Sequence, residues 1–418
     1  KTKAERERGI TIECTLLKLD MADRVVNIMD CPGHQDFIKN MVSGTAQADV
    51  AVVLVPCAAG EFESAISGGT LKEHILISGA LGVPKLIVAV NKVDTIGTDA
   101  EQSKRFDEVC KEMKRVCKTI HPDRDPLFVP ISGFKGIGLT QKHGYYTWFA
   151  GWRPSDDANA QPIFTLEQAL KYVPLPKRPF DLDFRGGVTK PLTIQGIGTV
   201  ITAYCIQGRL NKGDFVSIKP CNVDAEVKTL EKHNEDVKVV EPGESFGMVI
   251  KTLNGNIKHV KGGHVISNRD KNPVESNPGY LCTLTVVNHP TGVKINYTPS
   301  FVVFMGAVPG RVAKIFKAVH LKTKTTLEDP TLVPKGYRFE CVVIPQKPIC
   351  AEISATSPTL ARCGLRDGNK LVAVGNIKQC LKASDLAEMG IKIDSKPEAP
   401  VKGADKKKGG KTAAAAGG

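Results

Sequence analysis

Short apolar runs alternate with helix-like segments over the first third of the chain, and this alternation is the strongest constraint on its fold. Between residues 25 and 133 the runs are VVNIMDC, VAVVLVPC, LIVAVNKVD and LFVPISG. They lack the in/out alternation of half-exposed strands, which is typical of parallel strands buried on both faces. The pattern predicts a doubly wound α/β sheet, and such a sheet carries its ligand-binding loops at the carboxyl ends of the strands.

A different pattern follows the proline-rich segment PLPKRPF, which breaks helicity at Pro174, Pro176 and Pro179. From about residue 180 to 374, short strand-like runs are separated by Gly, Pro and Asn, which favours compact β barrels or sandwiches. This stretch is long for one small barrel, and a polar segment around Pro273 offers a boundary. The sequence therefore predicts two β domains after the α/β domain.

The composition limits the classes of protein to which this chain can belong. A hydrophobic content of 41% with 24% charged residues excludes disorder of the whole chain. The longest apolar stretch, residues 50–57, is too short to span a bilayer, and the 12 cysteines include no C-x-x-C pair. We therefore expect a cytoplasmic protein with reduced thiols and no membrane partner. The net charge of +13 favours a polyanionic partner such as RNA.

The first informative loop is D-C-P-G-H at residues 30–34, which directly follows a predicted strand. A carboxylate at this place can hold a hydrated Mg²⁺, and a glycine lets a backbone N–H approach a phosphate oxygen closely. His34 would then lie beside the terminal phosphate. Because D-x-x-G alone is common in turns, this motif needs support from other loops.

The second loop is N-K-V-D at residues 91–94, again at the end of an apolar strand. Asp94 can accept hydrogen bonds from N1–H and the 2-amino group of guanine, and adenine offers neither donor. Asn91 can brace the neighbouring loops, and the stem of Lys92 can cover the base. The next strand ends in S-G-F at residues 132–134, whose backbone N–H groups can meet the guanine O6. Three such loops in this order predict a guanine-nucleotide site.

These motifs, together with R-G-I-T at residues 8–11 and GEFE, resemble the translational GTPases, most closely the eukaryotic elongation factor 1-alpha family. The resemblance continues through GIGTV, NHP, KTLEDP and RDGNKLVAVG to about Lys382. It implies a P-loop-type GTPase domain followed by two β-barrel domains. It also implies a GTPase that delivers aminoacyl-tRNA to the ribosomal A site, hydrolyses GTP on decoding, and binds GTP or GDP with Mg²⁺.

The resemblance also sets expected domain limits and partners. The GTP-binding domain would span residues 1–176, the second domain 177–272, the third domain 273–384, and a basic low-complexity tail 385–418. The expected partners are aminoacyl-tRNA, the ribosome and a guanine-nucleotide exchange factor, and the protein is expected to be a monomer.

Carried over by motif, the resemblance implies specific roles in the nucleotide site. The hydroxyl of Thr11 would join Mg²⁺ only in the GTP state, and Asp30 would contact the ion through water. The Gly33 amide would sense the γ-phosphate, and His34 would be the catalytic residue that orients the attacking water. The segments around Thr11 and Gly33 would change between order and disorder with the bound nucleotide. The residues expected to hold the nucleotide are Gly33, Asn91, Lys92, Asp94, Ser132, Gly133 and Phe134.

One expected motif is missing from the sequence. Family members carry G-x-x-x-x-G-K-[ST] before the switch threonine, and the one G-K-T here, at residues 410–412, has Asp405 where the first Gly is needed. The chain starts at Lys1, so we expect a fragment without its true N-terminus, lacking the first strand and the phosphate loop. We predict that this chain binds GTP weakly or not at all and is inactive as a GTPase.

Other departures from the family concern partner binding. Residues 203–206 read A-Y-C-I where relatives have G-R-V-E near the expected aminoacyl end, and residues 69–74 read G-T-L-K-E-H in place of G-Q-T-R-E-H. Arg362 and Arg366 are either tRNA-phosphate contacts or plain surface arginines. Two alternatives stay open: a release- or rescue-type translational GTPase, and a non-hydrolysing RNA- or cytoskeleton-binding relative without the phosphate loop.

Overall fold

The computed structural model describes residues 3–67, 70–120, 125–154, 159–196, 198–233 and 235–393. The G-K-T at residues 410–412 and all of the predicted tail beyond residue 393 lie outside these ranges. Within them the chain forms an α/β domain followed by two β barrels, which confirms the predicted fold class.

The α/β domain is built around a three-stranded parallel sheet. The strands of the whole domain are β1 (Thr15–Asp20), β2 (Val25–Asp30), β3 (Val50–Pro56), β4 (Lys85–Asn91) and β5 (Leu127–Pro130). Its helices are α1 (Lys3–Arg8), α2 (Ile38–Thr45), α3 (Glu61–Ser67), α4 (Leu71–Ala80), α5 (Asp99–Ile120) and α6 (Leu166–Tyr172). Strands β3, β4 and β5 pair in parallel, and the register aligns Pro56 with Asn91 and Val90 with Pro130. The loops after these strands therefore emerge at one edge of the sheet.

Strands β4 and β5 of the parallel sheet are covered on both faces, as the lack of alternation predicts. Val88 of β4 packs with α3, α4 and α5 on one face, whereas Ile87 and Ala89 pack against α6 on the other. The apolar stripe of α5 supplies much of the first layer, with Val109 and Met113 fully buried. Alternate residues of one strand thus enter two different cores.

Strands β1 and β2 form a separate antiparallel hairpin that does not pair with the parallel sheet. The prediction that VVNIMDC is a parallel strand buried on both faces is therefore wrong. Consequently β2 and β3 are both edge strands among the described residues. Apolar side chains on them are exposed, including Val52 at 40% and Leu54 at 60%. In a doubly wound sheet such side chains are normally covered on both faces.

The second domain is a closed antiparallel barrel. Its strands are β6 (Arg185–Ile194), β7 (Gly198–Gln207), β8 (Leu210–Asn211), β9 (Phe215–Lys219), β10 (Val223–Lys232), β11 (Glu235–Val237), β12 (Val239–Val240), β13 (Ser245–Asn254) and β14 (Val265–Asn268). The pairing order β10-β13-β7-β6-β14-β9 closes on itself through β9 and β10, which gives a six-stranded ring. Closure removes the unpaired edges of the sheet.

The third domain repeats this plan. Its strands are β15 (Gly279–Val286), β16 (Val293–Lys294), β17 (Ser300–Val303), β18 (Gly306–His320), β19 (Thr326–Glu328), β20 (Leu332–Val333), β21 (Tyr337–Pro345), β22 (Arg362–Asp367) and β23 (Lys370–Leu381). The ring β17-β22-β23-β15-β21-β18 closes through β17 and β18. Helix α7 (Ala383–Glu388) buries Leu386 against this barrel, so the boundary expected between residues 384 and 385 falls inside a packed helix.

Charged side chains hold the domains together. Arg178, in the predicted linker, donates two hydrogen bonds to the carboxylate of Asp49, at 2.9 and 2.6 Å. Arg185 at the start of the second domain holds Glu352 of the third domain in the same two-point manner, at 2.9 and 2.7 Å. Such forked pairs fix both distance and orientation, so they set the relative position of neighbouring domains.

Candidate guanine-nucleotide site

Asn91 joins the two loops that the sequence analysis assigned to the base. Its Oδ1 accepts hydrogen bonds from the Lys92 N–H at 2.8 Å and from the Gly133 N–H at 2.9 Å. Lys92 has the left-handed backbone conformation, with φ of 64°, so the chain turns sharply after β4. The loops after β4 and β5 are therefore held together by one side-chain amide.

The S-G-F loop offers fewer backbone donors than expected. The Ser132 N–H donates to the carbonyl of Ile137 at 2.9 Å, and the Gly133 N–H is taken by Asn91. Of the three amides in this loop, that of Phe134 has no acceptor in the described part of the chain. The Phe134 side chain is 98% exposed. One backbone donor thus stays available beside the loop that carries Asp94.

Two lysines flank the base loops and neutralise the carboxylates there. Lys135 Nζ lies 3.4 Å from a carboxylate oxygen of Asp94. Lys92 Nζ lies 2.8 Å from Glu61 at the start of α3, so its ammonium group is anchored while its stem stays beside the loop. The Asp94 side chain is largely shielded, which strengthens any hydrogen bond that its carboxylate accepts.

Asp30 and His34 lie at the carboxyl end of the hairpin strand β2. Asp30 ends that strand opposite Thr15. His34 Nδ1 accepts a hydrogen bond from the Asp36 N–H at 3.2 Å, and His34 thereby caps the short 3-10 helix Gln35–Phe37. The imidazole is 44% exposed. In this structure His34 therefore faces its own helix and has freedom to turn.

The segment that contains Thr11 is held by side chains of two helices, α1 and α2. The carboxylate of Glu5, which is buried, accepts hydrogen bonds from the Ile12 and Glu13 N–H groups at 2.9 and 3.2 Å. Asn40 of α2 donates from Nδ2 to the Ile12 carbonyl at 2.7 Å. Helix α2 follows the D-C-P-G-H loop directly, so the Thr11 segment and that loop are tied to the same helix.

Glu73 and His74 connect this region to the third domain, and neither is among the site residues predicted from the sequence. The His74 ring lies beside Gly33, and burial lowers the pKa of its imidazole. Asn288 of the third domain donates to Glu73 at 2.8 Å, and burial raises the pKa of the Glu73 carboxyl. The available signal was the E-H pair retained at residues 73 and 74 within an otherwise altered motif.

The site residues fall into two groups on different sheets. One group lies at the edge of the parallel sheet and comprises Asn91, Lys92, Asp94 and the S-G-F loop. The other surrounds the end of the hairpin and comprises Thr11, Asp30, Gly33 and His34. In the described ranges no cluster of three or more His, Cys, Asp or Glu side chains forms a metal cage. The hydroxyl of Thr11 and the carboxylate of Asp30 are hard oxygen donors, which fit a hydrated Mg²⁺ that also contacts phosphate.

The divergent segment of residues 203–206 is buried and does not form an exposed surface. Ala203, Tyr204, Cys205 and Ile206 are all at most 8% exposed. The Tyr204 ring lies 6.3 Å from that of Phe304 in the third domain, and Ala46 of the α/β domain packs on the same cluster. This segment therefore stabilises a junction of all three domains.

Neither Arg362 nor Arg366 is a surface arginine, which corrects that expectation. Arg362 Nη1 donates to the Leu81 carbonyl at the end of α4, at 3.0 Å. Arg366 is buried, and its Nε and Nη1 have no hydrogen-bond partner among the described residues. Burial lowers the pKa of both guanidinium groups. Both side chains lie where the third domain meets α4.

The fold and these loops define a GTPase domain followed by two β barrels, the architecture of translational GTPases. Residues 1–182 match the family model described as elongation factor Tu GTP binding domain, and residues 280–378 match GTP-eEF1A C-terminal domain-like. The chain is 41% identical over 411 residues to elongation factor 1-alpha of Encephalitozoon cuniculi (strain GB-M1), covering 98% of this chain and 86% of that protein. It belongs to the elongation factor 1-alpha family.

Solved structures that share this fold include those of Ski7 and SelB. The GTPase-like domain of S. cerevisiae Ski7, bound to GDP and inorganic phosphate, has a TM-score of 0.71 at 16% identity, with 91% of this chain and 85% of that chain covered. Elongation factor SelB of Methanococcus maripaludis, in complex with the GTP analogue GppNHp, has a TM-score of 0.68 at 18% identity, with 90% and 75% covered. At these identities the likeness concerns the fold alone.

No helix in the part of the chain that the structure describes combines the length and the apolar character needed to cross a membrane.

Proposed function

We propose that this protein delivers aminoacyl-tRNA to the ribosomal A site in a guanine-nucleotide-dependent manner. The observation that carries the proposal is the pair of base loops bridged by Asn91, set in a chain that matches an elongation factor 1-alpha over 98% of its length. Family membership alone leaves the client open, because relatives with the same fold include SelB and Ski7.

The base loops favour guanine over adenine. The Asp94 carboxylate would accept hydrogen bonds from N1–H and the 2-amino group, and the Phe134 N–H would donate to O6. Adenine has no N1–H, and it carries an amino group in place of O6. It would therefore leave the Asp94 carboxylate and the Phe134 N–H without hydrogen-bond partners. The stem of Lys92, held by Glu61, would cover one face of the base.

The site would promote GTP hydrolysis by positioning the attacking water and by neutralising the charge on the phosphates. Thr11 and Asp30 would hold Mg²⁺, which supplies neutralisation of the charge on the phosphates when bound. His34 would orient the attacking water after its imidazole turns away from Asp36, and contact with the ribosome would favour that turn. The Gly33 N–H would hydrogen-bond the γ-phosphate and so report whether it is present.

The three domains would transmit the state of Gly33 to the tRNA. His74 lies beside Gly33, and the neighbouring Glu73 is hydrogen-bonded to Asn288 in the third domain. A shift of the Gly33 loop would therefore act on the interface between α4 and the third barrel. The charge of +13 supports a polyanionic client, because excess positive charge attracts nucleic acid.

Retention of tRNA on the immobilised protein tests this function. Because the chain is expected to bind guanine nucleotide weakly, the assay uses a large excess of nucleotide. We then expect charged tRNA to be retained in the presence of GTP, and to be released with GDP or after deacylation. Asp94→Asn should remove the advantage of GTP over ATP in the same assay, because the amide presents a donor to the guanine donors. Asp107→Asn, on α5 away from the loops, is the matched control.

The other two functions predict different results. Retention of tRNA regardless of charging and nucleotide would support the non-hydrolysing RNA-binding relative. Retention of a protein that mimics tRNA, with no retention of charged tRNA, would support the release- or rescue-type GTPase. Either result would overturn the proposal.

A further inference from the structure

Cys14 and Cys31 face each other at the open end of the β1–β2 hairpin. The register pairs Thr15 with Asp30, so residues 14 and 31 are the next opposed pair outward. Their Sγ atoms are 3.5 Å apart. Opposed residues of antiparallel strands have Cα atoms about 4.5–5.5 Å apart, which lies within the range of about 4.4–6.8 Å found for disulfides. A bond between the sulfurs therefore needs little movement of the backbone.

Helix α2 closes over the two sulfurs. The Cys14 thiol donates to the Asn40 carbonyl at 2.9 Å, and a side chain at Gly44 would overlap both sulfur atoms. Gly44 therefore leaves the space that the pair occupies. This packing holds the two thiols together and limits the directions in which either can turn.

The combination of proximity and partial exposure separates this pair from the other cysteines. Among the described residues, no thiol–thiol hydrogen bond is formed by the other half-buried cysteines, which are Cys110, Cys221 and Cys380. All 12 cysteines of the chain lie in the described ranges and are free thiols. Cys282 and Cys363 also interact, but both are buried in the core of the third barrel. Cys14 and Cys31 are only half-buried. A small oxidant can thus reach this pair without unfolding of a domain.

We propose that Cys14 and Cys31 are a reversible dithiol–disulfide pair, oxidised by a low-molecular-weight disulfide such as oxidised glutathione. One thiolate attacks a glutathione sulfur, forms a mixed disulfide and releases one reduced glutathione. The second thiolate then attacks the protein sulfur of the mixed disulfide and releases the other glutathione. The two protons pass to the departing glutathione thiolates, and two electrons leave the protein.

The disulfide would join the segment that follows Thr11 to the loop that carries Asp30, Gly33 and His34. Its effect on activity rests on the proposed function, in which these segments change order with the bound nucleotide. A covalent link would hold the Thr11 segment against the loop in either nucleotide state. The oxidised protein would then respond less to the exchange of GTP for GDP.

Tryptic mapping tests the bond without reference to activity. Cleavage after lysine and arginine places Cys14 in the peptide of residues 9–18 and Cys31 in the peptide of residues 25–39. After treatment of the folded chain with oxidised glutathione and blocking of free thiols, we expect these peptides to appear joined, with the loss of two hydrogens. Thiol titration of the denatured protein should fall by two from the 12 cysteines.

The matched variants make the result decisive. Cys14→Ser should abolish the joined peptide, whereas Cys110→Ser, which removes a half-buried cysteine of α5, should leave it unchanged. Dithiothreitol should restore both separate peptides. Recovery of residues 9–18 and 25–39 only as free thiols or as glutathione adducts would overturn the proposal. That result comes from the wild-type chain and does not depend on folding of a variant.

Hydrogen exchange measures the structural consequence separately. Amides of residues 10–13 should exchange more slowly in the oxidised wild type than in the reduced protein, and oxidant should have no such effect on Cys14→Ser. If the disulfide forms and exchange of these amides is unchanged, the link is present without restraint of the Thr11 segment. That outcome overturns the effect on activity and leaves the tRNA-delivery function standing.

Discussion

Asn288 of the third domain donates a 2.8 Å hydrogen bond from Nδ2 to Oε1 of Glu73, in the first turn of α4. The next residue, His74, lies beside Gly33. One turn of helix therefore contacts both the third barrel and the loop expected to sense the γ-phosphate.

The free energy of unfolding of the protein should depend on pH through the carboxyl group of Glu73. Burial raises its folded-state pKa above the usual 4.5, so the folded protein binds this proton more tightly than the unfolded chain. The contribution of Glu73 to stability is therefore greatest below pH 4.5 and falls as pH rises through its folded-state pKa. We expect Glu73→Gln to gain stability relative to wild type as pH rises through this window.

Urea unfolding of both proteins at a series of pH values measures this difference. Comparison with the variant cancels the titration of the other carboxyl groups. A stability difference that does not change with pH, or that changes in the opposite direction, would contradict the prediction.

Breaking the ion pair between the two barrels should be costly. The Arg185 side chain is 0% exposed, and Glu352 is its charge partner at 2.7 Å. Glu352→Gln leaves the guanidinium buried without a countercharge, and we expect a loss of about 3 kcal/mol. Glu328→Gln removes the exposed partner of Lys317 and should cost less than about 1 kcal/mol.

The two tryptophans make this measurement domain-specific. Trp148 and Trp152 both lie in the GTPase domain, so their fluorescence reports that domain, whereas far-ultraviolet circular dichroism also reports the barrels. Glu352→Gln should lower the dichroism midpoint more than the fluorescence midpoint. Equal costs for Glu352→Gln and Glu328→Gln would sink the prediction.

Arg366 should be replaceable by an apolar side chain with a gain in stability. Its Nε and Nη1 are buried and lack partners in the described part of the chain, and apolar residues such as Ile77 and Leu371 surround it. Arg366→Met removes an unpaired charge and keeps the volume, so we expect a gain of about 1–2 kcal/mol.

Arg362→Met is the opposite case in the same interface. It deletes the hydrogen bond to the Leu81 carbonyl at 3.0 Å, so we expect a loss of about 1–2 kcal/mol. Thermal unfolding of both variants measures whether each substitution raises or lowers the stability of the protein. A loss for Arg366→Met as large as that for Arg362→Met would show that Arg366 has a stabilising partner in solution.

The 418-residue chain should bind GDP weakly. Its proposed contacts to the nucleotide lie at the base and near the γ-phosphate, and the sequence contains no G-x-x-x-x-G-K-[ST] loop for the β-phosphate. We expect a Kd weaker than about 1 μM, by isothermal titration calorimetry with Mg²⁺ present. Asp94→Asn should weaken binding of GDP further and leave that of ADP unchanged. Nanomolar binding of GDP would refute this expectation.

The sequence by itself determined the order of the elements and the positions of the base loops. Burial on both faces of a strand and on one stripe of a helix follows from residue spacing, so strands β3 to β5 and helix α5 were predictable. The same spacing wrongly placed β2 in the parallel sheet, because pairing with β1 is not visible in local spacing. The loops after β4 and β5 were predictable because parallel strands bring their carboxyl ends to one edge of the sheet, so motifs that end successive strands lie together.

Only the tertiary structure decided which side chains are buried between domains. Arg362 reaches Leu81 from 281 positions away, and Arg185 meets Glu352 across 167. Nothing in local spacing distinguishes such residues from surface arginines, because the partner is supplied by another domain. The same reason explains the burial of residues 203–206 and the contact of Glu73 with Asn288. The opposition of Cys14 and Cys31 likewise depends on the register of the hairpin, which pairing fixes and composition does not.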